Sequence, residues 1–210
     1  MTNLPTEPYL AQCQRWPQEG KHILAQYDET SVIVYQAYRP SIGKFAIEHG
    51  YFGGADFSFS RMSWVKPNFL WMMYRSGWGT KEGQEVTLAL RLRREFFESI
   101  LEHAVASSFD PTEYKSRNEW QAAVDTSDVR LQWDPDHSPS GAKQDRRAIQ
   151  LGLRGDMLRK MAREELLEIV DLSEFVASQR AFACDDSKEL RTPVERVFDR
   201  FKRVPSGNAQ

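Results

Sequence analysis

Cysteine is nearly absent from this chain of 210 residues: Cys13 and Cys184 stand far apart, with no histidine pair beside either. That excludes a disulfide framework and a zinc site and leaves two plain thiols. Long apolar runs are missing too. The longest, residues 69–74 (FLWMMY), falls far short of the roughly 20 residues that a membrane-spanning helix needs, so no membrane partner is expected. The opening residues, MTNLPTEPYL, hold neither a basic region nor an apolar stretch, and the expectation is a cytoplasmic chain. Charge of one sign is not in excess: 28 Lys+Arg face 30 Asp+Glu, a net −2, which gives no global argument for nucleic acid. Gly-rich phosphate loops, nucleophile elbows and zinc-binding helices do not occur. The four histidines, His22, His49, His103 and His137, lack ligand spacing, so no metal is expected. His137, in a turn-rich stretch, is the one kept in reserve.

What is present is a globular composition, 40% hydrophobic, 12% aromatic and 28% charged, enough for one domain with its own core. Residues 1–20, with Pro5, Pro8 and Pro17, read as an irregular N-terminal arm. Residues 21–183 read as a single α+β domain and 184–210 as a polar C-terminal tail. Residues 31–38 (SVIVYQAY) are apolar on both faces at 32–35 and predict an interior strand. Pro40 and the spaced Ile42, Phe45, Ala46 and Ile47 predict a helix that stops at Gly50. Residues 57–66 read as extended, and Pro67 opens a buried helix over 68–76 that Gly77 ends.

Residues 85–93 alternate, with Val86, Leu88, Leu90 and Leu92 on one face. A helix is predicted from Arg94 to about Val105, and a loop with one short helix around Trp120 fills 107–128. Residues 129–133 and 147–154 alternate as strands on either side of a turn-rich loop at 134–144, and helices follow around 157–165 and 172–182. Strands and helices mix without strict alternation, so the fold class is α+β with a mixed, mainly antiparallel sheet and flanking helices.

Chemistry concentrates in the middle. Residues 61–94 hold Arg61, Lys66, Arg75, Lys81, Arg91, Arg93 and Arg94 against Glu82 and Glu85, together with Trp64, Trp71 and Trp78. Cations interleaved with planar rings suit phosphates with bases or nicotinamide. The plainer alternative makes the tryptophans core and the cations a solvated rim. Lys66 and Arg75 bracket the apolar run and could hold phosphate at a mouth lined by Trp64 and Trp78, with Ser76 adjoining. Arg75 could equally neutralise its own helix end, and Trp78 could be the apolar contact that follows a glycine stop. Gln150 and Arg154 flank Gly152 on the polar face of their strand, a gap through which a ligand could approach the backbone.

The runs VYQAYRPSIGKFAIEHGYF, RMSWVKPNFLWMMYRSGWGTKEGQEVTLALRLRREFF and RAIQLGLRG resemble the family called domain of unknown function 4291, over roughly residues 31–175. That resemblance implies no particular activity. Tyr35, Gln36, Ala37, Tyr38 and Arg39, followed by residues 47–51, are more distantly similar to ADP-ribosyltransferases, with Gln36 where those enzymes carry a histidine. Gln150 is similar in placement to their late-strand glutamate or glutamine. This second resemblance implies NAD as cofactor, Gln150 and Gln36 in catalytic positions, and Tyr35, Arg39, Trp64, Lys66, Arg75, Ser76, Trp78 and Arg154 around the cofactor. The leading expectation is therefore an ADP-ribosyltransferase-like enzyme acting on a nucleotide or nucleic acid. Its rivals are a non-catalytic module binding RNA or single-stranded DNA through Arg61, Arg91 and Arg93, and a protein-interaction domain using exposed aromatics.

Overall fold

The apolar stretches at 31–38 and 86–93 pair with one another and start the first of the two larger sheets, which two two-stranded pairs accompany. The computed structural model describes residues 4–199. In chain order its elements begin with β1 (Thr6–Pro8), α1 (Tyr9–Cys13), β2 (Gly20–Lys21), β3 (Leu24–Ala25), β4 (Ser31–Tyr38) and α2 (Pro40–His49). They continue with β5 (Ser63–Val65), α3 (Phe69–Ser76), β6 (Val86–Arg93), α4 (Arg94–Glu102), β7 (Ala104–Ala106) and α5 (Arg117–Thr126). The last are β8 (Val129–His137), β9 (Lys143–Leu153), α6 (Gly155–Arg163), β10 (Leu166–Asp171), α7 (Ser173–Arg180), β11 (Arg191–Pro193) and β12 (Arg196–Val197).

The first sheet runs β10-β6-β4, antiparallel throughout, with β6 central. It is buried on both faces, which is why β4 reads as an apolar run at residues 32–35. Val32, Val34, Leu88, Leu90 and Leu92 face one core with α2, α4 and α6; Ile33, Tyr35 and Ala89 face another with α3 and α7. The second sheet runs β2-β9-β8-β7, and β5 pairs the far part of the β9 edge. Val129, Ile149, Leu151, Leu153 and Val65 turn to the first core, leaving the polar face of β8 and β9 outside. The sheets meet where Tyr35 and Lys66 exchange backbone hydrogen bonds of 2.7 and 3.1 Å. This is an α+β domain with mixed sheets, as its patterning implies.

Local signals hold at the helix ends. Asn68 caps α3 by accepting from Trp71 N at 2.7 Å, and Gly50 and Gly77 end α2 and α3 in the left-handed region. Four expectations need correction. The supposed irregular arm carries β1 and α1, and buries Tyr9 and Trp16. The supposed tail returns β11 to β1 and β12 to β3, with Leu190, Thr192 and Glu195 buried; only its residues 200–210 lie outside the described ones. The turn-rich loop at 134–144 is mostly the two arms of a β8–β9 hairpin. The helix expected to reach 105 stops at Glu102, and β7 follows. For the arm, the tail and β7 a partner strand distant in sequence supplies hydrogen bonds that local propensity cannot register, and in the hairpin each arm supplies them to the other.

Gly43 lies where α2 crosses β6. A Cβ there would stand 2.5 Å from Val86 Cγ1 and 2.6 Å from its Cβ, and the valine is stiff at χ1. Alanine would gain up to about 1 kcal/mol of helix stability, against an overpacking cost of about 1–3 kcal/mol. Gly43→Ala is therefore expected to lower the denaturant midpoint; an unchanged or raised midpoint would contradict this packing.

Candidate functional site

Strand alternation on β5 sends Val65 into the core and puts Trp64 and Lys66 on the opposite, polar face of the second sheet. The β5–β9 pairing ends at Val65–Leu151, and Lys66, just past β5, and Gln150, on β9, each adjoin that last pair. Lys66 is only 5% exposed, and among the described residues its ammonium has no hydrogen-bond or ion-pair partner. Burial first and the charge of Arg75 second push it down to about 8, with Asp134 acting the other way.

Lys66 helps to line a hollow of about 370 Å³ whose walls include Gln36, Arg61, Trp64, Met72, Arg75 and Gln84. A second hollow, of about 230 Å³, shares Tyr38, Arg61, Met62 and Ser63 with the first and adds Arg39 and Asp56. The guanidiniums of Arg39, Arg61 and Arg75 have no hydrogen bond, ion pair or ring contact with another described residue. Two adjoining hollows, together a cleft, thus gather four cations that no described carboxylate pairs, with Asp56 as their one acidic lining residue, a donor set suited to phosphate oxygens.

Beside it, β8 and β9 present Gln132 opposite Gln150. The two Oδ atoms of Asp134 accept from their amides, Gln132 Nε2 at 2.8 Å and Gln150 Nε2 at 2.7 Å. One carboxylate therefore fixes both amides and leaves each Oε1 as a spare acceptor. Asp134 did not stand out in the sequence. The available signal was the polar alternation of Arg130, Gln132 and Asp134 opposite Gln150.

The remaining expected site residues divide sharply. Gln36 is buried at the seam: its Nε2 donates to Ser63 Oγ at 2.8 Å and Trp64 O at 3.2 Å, and its Oε1 accepts from Tyr38 at 3.0 Å. With its polar atoms committed, it ties the sheets together. Tyr35 is fully buried against Phe69 in the second core. Ser76 is turned into α3, donating to Met72 O at 3.0 Å. Trp78 is 8% exposed, packs on Phe69 and donates to Pro139 O at 3.1 Å, so the contact after the glycine stop is its place and ring stacking on a ligand is not. Arg154 holds the carbonyls of Val124, Asp125 and Ser127. The gap at Gly152 is filled: a Cβ there would meet Met62 Sδ at 2.6 Å and Trp64 Cε2 at 3.0 Å.

The proposed nucleic-acid trio is dispersed. Arg61 lines the cleft, Arg91 is paired to Glu168 at 2.9 Å and to Asp28 at 3.8 Å, and Arg93 reaches Glu165 at 3.5 Å. His137 is 2% exposed and stacked on Tyr74 and Trp71, away from the cleft walls. Exposed large apolar side chains among the described residues are Tyr74, Leu167 and Phe182, which come from three different elements or turns. No grouping of His, Cys, Asp and Glu fit for a metal occurs among the described residues, and no described helix is long and apolar enough to cross a membrane.

No curated protein matches the chain. A family sequence profile does, and it spans the first sheet, the second apart from β2, the seam at Lys66 and every cation of the cleft. By that match over residues 22–198, the chain belongs to the family described as Domain of unknown function (DUF4291).

Proposed function

We propose that the cleft binds the phosphates of a nucleotide, with NAD the case to which the distant sequence resemblance points. The observation that carries this reading is the set of Arg39, Arg61, Arg75 and Lys66 around two joined hollows, none of them paired to a protein anion. Lys66 and Arg75 would take one phosphate and Arg39 with Arg61 the next. Trp64 is the ring at the wall, and the Oε1 of Gln150 is the acceptor for a ribose hydroxyl. In an ADP-ribosyl transfer Gln150 could orient the sugar but could not carry charge. Asp134, which holds it, would supply the negative field for the cation developing at the anomeric carbon.

Calorimetry with NAD, ADP and inorganic phosphate tests this. Arg75→Ala and Arg61→Ala should each weaken ADP binding about 10–100-fold, the value of one charge-assisted hydrogen bond. Binding should also weaken above about pH 8, where Lys66 loses its proton, and Lys66→Arg should retain it at pH 9. Saturable heat absent with all three ligands, or variants equal to the parent, would remove the proposal. If single-stranded nucleic acid is the ligand instead, titration with a single-stranded oligonucleotide will show an affinity falling steeply with salt, in proportion to the many phosphates engaged.

A further inference from the structure

We infer that Lys66 is the chain's reactive amine, and that it condenses with the carbonyl of an anion-bearing aldehyde held in the cleft. This rests on reading the cleft as an anion site. The other lysines among the described residues, at 21, 44, 81, 115, 143, 160 and 188, are all exposed; Lys66 alone is buried. A lysine becomes a nucleophile when it is desolvated or set beside another cation, and Lys66 meets both conditions, with Arg75 as its neighbour. It lines a hollow, so a small molecule can reach it, and no hydrogen bond or ion pair to a described residue must be broken first. About half of such amines are neutral at pH 8, against well under one in a hundred for an exposed lysine of ordinary pKa.

The substrate class follows from the surroundings. Arg61 and Arg75 have no protein counter-ion, so a phosphate or carboxylate on the substrate would be held by them while its carbonyl lies against Nζ. The nitrogen lone pair forms the N–C bond and the C=O π pair moves to oxygen, which takes a proton. The carbinolamine then loses that oxygen with a second proton as water and leaves an imine. One water is released, and nothing is oxidised or reduced.

The test uses the full chain with pyridoxal 5′-phosphate as probe and unphosphorylated pyridoxal as control. Borohydride then supplies a hydride that converts any imine to a stable secondary amine, located by peptide mass spectrometry. Lys66 should be labelled by the phosphorylated probe at least about ten-fold faster than any exposed lysine. Arg75→Ala should cut that rate about ten-fold and slow labelling by pyridoxal clearly less, because for pyridoxal only the neighbouring charge that lowers the amine is lost. Labelling spread evenly over the exposed lysines overturns the inference, as does labelling of Lys66 that ignores the phosphate. Calorimetry with inorganic phosphate separates the two levels. Phosphate bound without a Lys66 adduct defeats only the reactive amine, and neither result obtained defeats the anion site as well. Lys66→Arg, which keeps the charge, should bind phosphate and give no adduct at position 66.

Discussion

Asp136→Ala should destabilise the fold by about 3–5 kcal/mol, the cost of leaving a buried charge without its partner. Asp136 is 1% exposed, and its Oδ2 accepts from Arg146 Nε at 2.8 Å and lies 2.6 Å from its Nη2. The same guanidinium donates to Pro17 O at 2.7 Å and lies 5.3 Å over the Trp16 ring, so it pins the segment before β2 onto the hairpin of β8 and β9. Removing the carboxylate strands a group that cannot give up its charge. Removing the arginine is different in kind, because burial already pushes the Asp136 carboxyl up and Arg146 opposes that rise. Without Arg146 the carboxyl can take a proton. A raised folded pKa contributes stability that is present at low pH and lost as pH rises through it. Arg146→Met should therefore approach the parent's stability near pH 5 and fall behind it near pH 8, while Asp136→Ala stays poor at both. Denaturant midpoints at the two pH values decide this; two variants with equal, pH-independent losses would contradict it. Asp136 also sits two residues beyond Asp134, so any shift in the hairpin would disturb the clamp on Gln132 and Gln150.

How far the structure was legible depends on how local its cause is. The bounds of α2 and α3 were readable because Pro40, Asn68, Gly50 and Gly77 act on their own turns. The strand at 86–93 was readable because alternation is a property of one strand, yet its second face misled: Thr87 and Ala89 are buried, since α3 and α7 cover the sheet there. β10 and β7 were invisible, as each is short and defined by the strand it meets. The site was half legible. Composition placed Lys66, Arg75, Arg61 and Trp64 in one stretch, and the seam does gather them on one cleft. It could not say that Trp78 turns inward, that Gly152 is roofed by Met62 and Trp64, or that Gln36 is used up on Ser63, Trp64 and Tyr38. Each of those depends on what an unrelated segment packs against it. Asp134 was signalled only by the polar alternation of its strand, and Glu195 had no local signature, because its partners are fixed only when the chain closes.

Glu195→Ala should cost about 3 kcal/mol, through two buried donors left without acceptors at roughly 1–3 kcal/mol each. Its carboxylate accepts from Phe69 N at 2.6 Å and from Asn68 Nδ2 at 3.1 Å, so a residue from the far end of the chain completes the N-terminal cap of α3. Its backbone N–H donates to Gln12 Oε1 at 2.8 Å, which joins α1 to the same knot. Full burial drives this carboxyl well above the ordinary range despite the bond from Phe69. By the same linkage its contribution is complete below the ordinary carboxylate pKa and is lost as pH rises through the raised value. Glu195→Gln mimics the protonated group, keeps an acceptor for Phe69 N and cannot ionise. It should lose less than the alanine variant, about 1–3 kcal/mol for the one donor, Asn68 Nδ2, left facing an amide NH2, and show a flatter stability curve than the parent as pH rises. Thermal unfolding of both variants against pH gives the answer, and a glutamine variant as damaged as the alanine one would refute the neutral-acid reading. The effect should extend to the cleft. Arg75 and Met72 stand on α3 within two turns of this cap, so fraying the first turn moves the guanidinium that faces Lys66. Under conditions where Glu195→Ala remains folded, its affinity for inorganic phosphate should fall while that of Glu195→Gln stays near the parent's.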